Sequence, residues 1–170
     1  MSDQSAADRW SEERTTFQRV YDVTVGAHEF ESATTFAERA DCSETAARNA
    51  LEQLAEMGIA RRREGRPATY RRNDSYFRWK RVESLANDHT PAELRQRVDD
   101  LIDRDTSFQG RYGVPEPDAV STDDLPVDDH DAIHDRWDDL REWRTVRRDI
   151  RLLRDAVERA ESRTDDGLRA

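Results

Sequence analysis

The segment that most constrains this chain is a capped helix signal that stops on a glycine and runs straight into a hairpin of arginines. Ser43 is a natural N-cap. Ala47, Ala50, Leu51, Leu54 and Met57 then recur at helical spacing, and Gly58 stands where a helix usually ends in a left-handed backbone. Residues 59–63 and 68–72 read as two short strands around Glu64-Gly65-Arg66-Pro67, whose Gly and Pro are turn residues. Upstream, Ser11 can cap a helix to about Val25, with Phe17, Val20, Tyr21 and Thr24 on one face and Gly26 ending it. Ser32 opens a second, short helix whose apolar face is Ala33, Phe36, Ala37 and Ala40. Asp41-Cys42-Ser43 makes a tight turn, and Asp is among the residues that best tolerate a left-handed backbone there.

Three helices followed by a hairpin is the order of a winged helix-turn-helix, which places that domain at residues 11–73. A helical extension follows at 75–105: one helix at about 75–86 presents Tyr76, Trp79, Val82 and Leu85. A second begins at Thr90-Pro91-Ala92-Glu93, a capping box with Pro in the first helical position. Residues 106–128 hold Gly110, Gly113, Pro115, Pro117 and Pro126 and read as an irregular connector between two parts. One long coiled-coil-like helical pattern occupies 129–163. The expected fold is mainly α with a small β-hairpin.

Composition bounds the functions such a fold can have. The chain has 170 residues, a net charge of −10 and 39% charged residues, with a mean hydropathy of −1.07. No run approaches the roughly 18 apolar residues of a membrane helix. The first residues lack a signal-peptide pattern, so a cytoplasmic protein without membrane contact is expected. Cys42 is the only cysteine, which excludes an intrachain disulfide and a cysteine metal knuckle. Of 28 basic residues 27 are arginine, Lys80 being the exception, and 23 of 38 acidic residues are aspartate. That surface resembles proteins from salt-accumulating archaea. In molar salt the Debye length falls to about 3 Å, so local geometry outweighs global charge and acidity does not exclude DNA. The charge is also segregated: residues 61–81 carry nine basic groups against Glu64 and Asp74, whereas residues 123–139 carry eight aspartates against Arg136.

On the third helix, Thr45, Arg48, Asn49 and Glu52 form the face opposite the apolar one. Near a helix N-terminus, Arg suits guanine O6/N7 and Asn suits adenine N6/N7. Alone this is equally a plain surface helix. The hairpin adds Arg61, Arg62, Arg63, Arg66, Arg71 and Arg72 directly after it, with Arg66 at the tip, where arginine can enter a minor groove. The candidate DNA-binding set is therefore Ser43, Glu44, Thr45, Arg48, Asn49, Arg62, Arg63, Arg66, Thr69 and Tyr70. The run 47–58, the arginine-rich hairpin and Thr69-Tyr70 resemble winged-helix regulators of the ArsR, MarR and TrmB-like kinds. More closely, the chain is similar to haloarchaeal winged-helix proteins that share Arg111-Tyr112-Gly113-Val114 and a Trp-containing, Arg-rich C-terminal helix. The resemblance implies transcriptional regulation through double-stranded DNA. No ArsR-type Cys-x-Cys sensor is present, so metal sensing does not carry over, and any small-molecule effector is unknown.

The last helix carries Ile133, Trp137, Leu140, Trp143, Val146, Ile150, Leu153, Val157 and Ala160, a heptad seam with one extra three-residue step near Trp143. It needs a partner, either the preceding helix or a second copy. The preferred expectation is a homodimer through Trp137, Leu140, Trp143, Ile150, Leu153 and Val157, because half-sites are commonly paired. Two other functions stand beside the regulator: an assembly module built on a winged helix without DNA binding, and a metal-dependent enzyme using His130 and His134 with nearby aspartates. The bland reading of that cluster is a solvated acidic helix start. With no phosphate loop, nucleophile elbow or plausible Ser/His/Asp set, neither enzyme activity nor a cofactor is expected. Cys42 reads as a small residue facing the core rather than a redox switch.

Overall fold

A computed structural model of the chain describes residues 14–121 and 130–167. The molecule is mainly helical with one small three-stranded antiparallel sheet. The described residues divide into two compact units, one ending at Trp79 and the other beginning at Lys80.

In the first unit, α1 (Thr16–Gly26) begins at a capping box: Thr15 Oγ1 accepts the Gln18 N–H at 3.2 Å, and Gln18 Oε1 accepts the Thr15 N–H at 2.9 Å. The cap expected at Ser11 lies outside the described residues. A two-residue strand, β1 (Glu31–Ser32), precedes α2 (Ala33–Arg39), which Ser32 caps. Asp41 takes the left-handed backbone its turn requires, with φ 48°. Then come α3 (Glu44–Glu56), whose N-cap Ser43 accepts from the Ala46 N–H, and Gly58 at φ 74°. The hairpin is β2 (Ala60–Arg63) and β3 (Thr69–Arg72). In the sheet the order is β1-β3-β2, with Arg62 opposite Tyr70 and Arg63 opposite Thr69. β1 was not expected, since two residues are too short to show a period. The core gathers Val20, Phe36, Leu51, Leu54, Ile59 and Tyr70, all 5% exposed or less. Each large apolar side chain so buried contributes about 1.5–3 kcal/mol.

Helix α4 (Asp74–Asp88) packs Tyr76 and Phe77 on that core, while its Val82, Leu85 and Ala86 belong to the core of the second unit. Helix α5 (Pro91–Tyr112) starts at the expected box, Thr90 with Glu93. It does not stop near residue 105. Phe108 and Tyr112, one turn apart, both stack on Trp143 (ring centroids 5.7 and 5.9 Å), and this packing carries the helix through Gly110 to a stop at Gly113, φ 66°. A mid-helix glycine costs about 1 kcal/mol, which the stack outweighs. The irregular segment therefore begins at 113 instead of 106. Its described part, to 121, packs on α6 (His130–Gly167) with Val114 and Val120 against the Trp143 cluster, Pro117 buried in a 3₁₀ turn, and Arg136 donating to the Ser121 carbonyl.

α5 and α6 run antiparallel, as the ion pairs Arg95–Glu161, Arg104–Glu142 and Arg111–Asp139 show. This pairing corrects the seam assigned to a dimer. Leu140, Trp143, Ile150 and Leu153 are buried within the chain, Val157 is half-buried against the same cluster, and Trp137 alone is largely exposed at 47%. Extending to 22 residues, about 33 Å, α5 is long enough to cover that stripe itself. No helix among the described residues is long and apolar enough to cross a membrane.

Candidate nucleic-acid interface

The first unit bears one concave surface built from both elements the sequence singled out. A cavity of about 340 Å³ has Glu44, Arg48 and Glu52 of α3 on one wall and Arg62, Arg66 and Pro67 of the hairpin on the other. Helical spacing explains the first wall: positions 44, 48 and 52 lie one turn apart, in a row along the edge of the face buried at Ala47, Leu51 and Leu54. Thr45, Arg48 and Asn49 are all exposed. Arg48 pairs with Glu44 across one turn, and Glu44 also accepts from the Thr34 hydroxyl at 3.1 Å. An exposed i, i+4 pair contributes only about 0.3–0.5 kcal/mol, so Arg48 can trade Glu44 for a ligand acceptor cheaply. The Ser43 hydroxyl is spent on its cap.

Strand periodicity divides the arginines of the hairpin. Ala60, Arg62, Tyr70 and Arg72 share one face, and Arg61, Arg63, Thr69 and Arg71 share the other. Tyr70, 1% exposed, lies in the core beneath the cavity, so its assignment as a DNA contact is corrected: on the face the two residues share, the Tyr70 ring is covered and only the Arg62 side chain extends to the exposed rim. Arg63 and Thr69 lie on the face away from the cavity. There the Arg63 and Arg71 guanidiniums sit 4.4 and 4.8 Å from the Phe30 ring centre, and Arg63 Nε reaches Thr69 Oγ1 at 3.3 Å. Phe30 was not singled out in the sequence, where a lone aromatic in a loop carries no signal. Arg62 pairs with Glu64 at 2.8 Å, while Arg66 at the tip has no hydrogen bond or ion pair among the described residues.

Two struts hold the hairpin against the helices. Asn73 accepts from Arg61 Nε at 3.1 Å and donates through Nδ2 to the Gly58 carbonyl at 2.7 Å, tying the end of α3 to the base of the hairpin. Arg72 donates to the Val25 carbonyl at 2.7 Å, pairs with Asp74 at 3.0 Å and lies over Phe77. Cys42 is half-buried against the core, and burial pushes its thiol up, Asp41 adding to this and Arg19 opposing it. That is the environment of an inert thiol.

The other candidate chemistry gains no geometry. His134 is exposed, and the side chains of His130 and of Asp128, Asp129 and Asp131 lie outside the described residues. Among the described residues no group of three or more His, Cys, Asp or Glu is placed to hold a metal.

No curated protein and no solved structure matches the chain. One family does, over residues 14–161, and on that extent the chain belongs to DUF7342, a family of unknown function.

Proposed function

We propose that residues 16–72 form a winged helix-turn-helix that binds double-stranded DNA and regulates transcription. α3 enters the major groove, and the tip of the hairpin reaches the adjacent minor groove or backbone. The observation that carries this reading is the shared cavity: Arg48 from α3 and Arg66 from the hairpin edge one concave surface, with Thr45 and Asn49 exposed on α3 beside it. Arg48 and Asn49 supply guanine and adenine readers, Thr45 a hydroxyl for either, and Arg62 and Arg66 the backbone or minor-groove contacts. The two-fold symmetry of paired half-sites calls for two copies. With the α6 seam occupied inside the chain, Trp137 is the member of that set left exposed for a partner copy.

The acidic residues beside Arg48 favour the alternative, an assembly module that binds no DNA. A mobility shift separates the two. The wild-type protein is used to select duplexes from a random pool in molar KCl, where nonspecific arginine–phosphate attraction is suppressed. The DNA reading expects an enriched sequence. It expects Arg48→Ala to weaken it about 5- to 150-fold with relaxed preference at one position, and Arg66→Ala to weaken all duplexes more evenly. Failure to enrich any sequence, or full affinity in Arg48→Ala, overturns it.

A further inference from the structure

The second unit carries a charge pattern that the DNA reading leaves unused. Between residues 141 and 154 of α6 there are six arginines against Glu142 and Asp149, in a half of the chain that is otherwise strongly acidic. Glu142 is already paired with Arg104, and Asp149 lies 3.9 Å from Arg148, which also donates to the Thr145 hydroxyl at 3.3 Å. Positions 144, 147, 148, 151 and 154 fall on one helical face about 15 Å long.

That face borders two adjoining cavities. One, of about 350 Å³, is edged by Arg144, Arg147, Arg148 and Arg151, with Glu116 and Asp118 of the 113–121 segment opposite. The other, of about 310 Å³, shares Arg147 and Arg151 and adds Arg154, with Asp105 as its acidic member, 3.8 Å from Arg147. Two of these arginines build the walls. Arg144 grips Asp118 through Nε and Nη2, at 2.9 and 2.8 Å, and Arg147 Nη1 donates to the Pro115 carbonyl at 2.9 Å. Arg151 and Arg154 have no hydrogen bond or ion pair among the described residues. Arg151 edges both cavities with its five donors unspent.

We infer that this arginine face binds a compact phosphate monoester. Four arginines against Glu116 and Asp118 leave +2 around the larger cavity, and a phosphate monoester carries about −1.5 to −2 at neutral pH with three strong acceptor oxygens. Arg151 and Arg148 hold the phosphate through planar, charge-assisted hydrogen bonds. Arg147, one-third exposed, keeps further donors beside them, and the Arg144–Asp118 pair fixes the wall. A cavity of this volume admits a small ligand. A nucleic-acid strand is disfavoured, because its unbroken run of charges has to pass Glu116 and Asp118. This inference does not rest on the role proposed for α3.

Titration calorimetry of the full chain tests it, with inorganic phosphate and AMP as probes and adenosine as the phosphate-free control. The expected result is saturable binding of AMP and phosphate at one site per chain, no binding of adenosine, and at least tenfold weaker binding by Arg151→Gln. That substitution removes an exposed, unpaired side chain, so an unchanged thermal transition certifies its fold. Arg61→Gln, in the other unit, leaves the affinity unchanged. Absence of saturable AMP binding at low ionic strength overturns the inference, as does equal binding by Arg151→Gln. If Arg151→Gln instead weakens a duplex and leaves AMP unaffected, the face is a nucleic-acid surface and the inference fails.

Discussion

Trp143→Ala tests how the long C-terminal helix is used, because a seam closed within one chain and a seam closed between chains answer differently. Trp143 is fully buried, stacked against both Phe108 and Tyr112, and its Nε1–H donates to Asp105 Oδ1 at 2.7 Å. Removing a buried aromatic costs about 3–5 kcal/mol through lost transfer energy and the cavity left behind. The lost hydrogen bond to a carboxylate places the expected cost in the upper half of that range. Against a total of about 5–15 kcal/mol for a domain this is a severe defect. Trp143→Phe keeps a ring in the stack, loses the Nε1–H and leaves a smaller cavity, for about 1–3 kcal/mol. Urea unfolding followed by far-UV circular dichroism reads both. With a slope near 2 kcal/mol/M, the alanine variant shifts the midpoint by about 2 M. An intrachain seam makes the wild-type midpoint independent of protein concentration, whereas an interchain seam raises it with concentration. A shift under about 0.5 M for Trp143→Ala, or a wild-type midpoint that climbs across a hundredfold dilution series, refutes intrachain packing.

Gly113→Ala places a Cβ in open space but at φ 66°, so the expected loss is backbone strain of about 1–2 kcal/mol, seen as a lower thermal midpoint with unchanged helix content. Acid weakens the second unit. Hydrogen bonds from the Thr90 backbone and hydroxyl hold the Glu93 carboxyl below its ordinary 4.5. Burial pushes Asp139 up, but the Tyr112 hydroxyl and Arg111 outweigh it and hold it below 3.8. Both folded values are depressed, so their stabilisation is complete above those ordinary values and lost as pH falls through the lower folded ones. Glu93→Gln should flatten part of the fall in thermal midpoint below about pH 4.5. Cys42 should react with a disulfide reagent at neutral pH more slowly than free cysteine, and a rate equal to the free thiol contradicts its half-buried, raised state. On the proposed DNA reading, Tyr70→Phe should leave DNA affinity unchanged, whereas Tyr70→Ala should destabilise the first unit by about 3–5 kcal/mol; a selective loss of affinity in the phenylalanine variant would restore Tyr70 as a contact.

The parts legible in the sequence were those with local chemical punctuation. Ser32, Ser43, Thr90-Pro91 and Gly58 mark their helix ends because capping and left-handed backbone are decided by single residues. Non-local pairing was not legible. β1 exists only because Glu31 and Ser32 meet Tyr70 and Thr69 across the sheet, and two residues announce no period. α5 outran its expected end because Trp143, thirty-odd residues away in sequence, holds Phe108 and Tyr112 in helical register. The Arg111-Tyr112-Gly113-Val114 stretch, visible as a resemblance, has a local structural account: two side chains that hold Asp139, a helix stop and a half-buried valine against the Trp143 cluster. In the candidate interface the residue types were legible, whereas their assignment to faces needed the register. That register moved Tyr70 into the core and put Arg63 beside Phe30.

On the proposed reading, the acidic residues of α3 set specificity rather than oppose binding. Glu44 and Glu52 flank Arg48 on the wall that meets DNA. Facing phosphates they repel, so they lower affinity for every duplex alike. Facing a base edge, Glu accepts from cytosine N4, which adds a contact available in only some sequences. A regulator is judged by the ratio of specific to nonspecific binding, and a repulsive element raises that ratio even as it lowers both affinities. In molar salt the long-range part of the repulsion is screened within about 3 Å, leaving the contact term. Glu52→Gln should therefore raise nonspecific affinity in dilute buffer far more than in molar KCl, while lowering discrimination in both. An equal change in both buffers with discrimination intact would show that Glu52 stands away from the duplex, and would turn the α3 face toward the assembly reading.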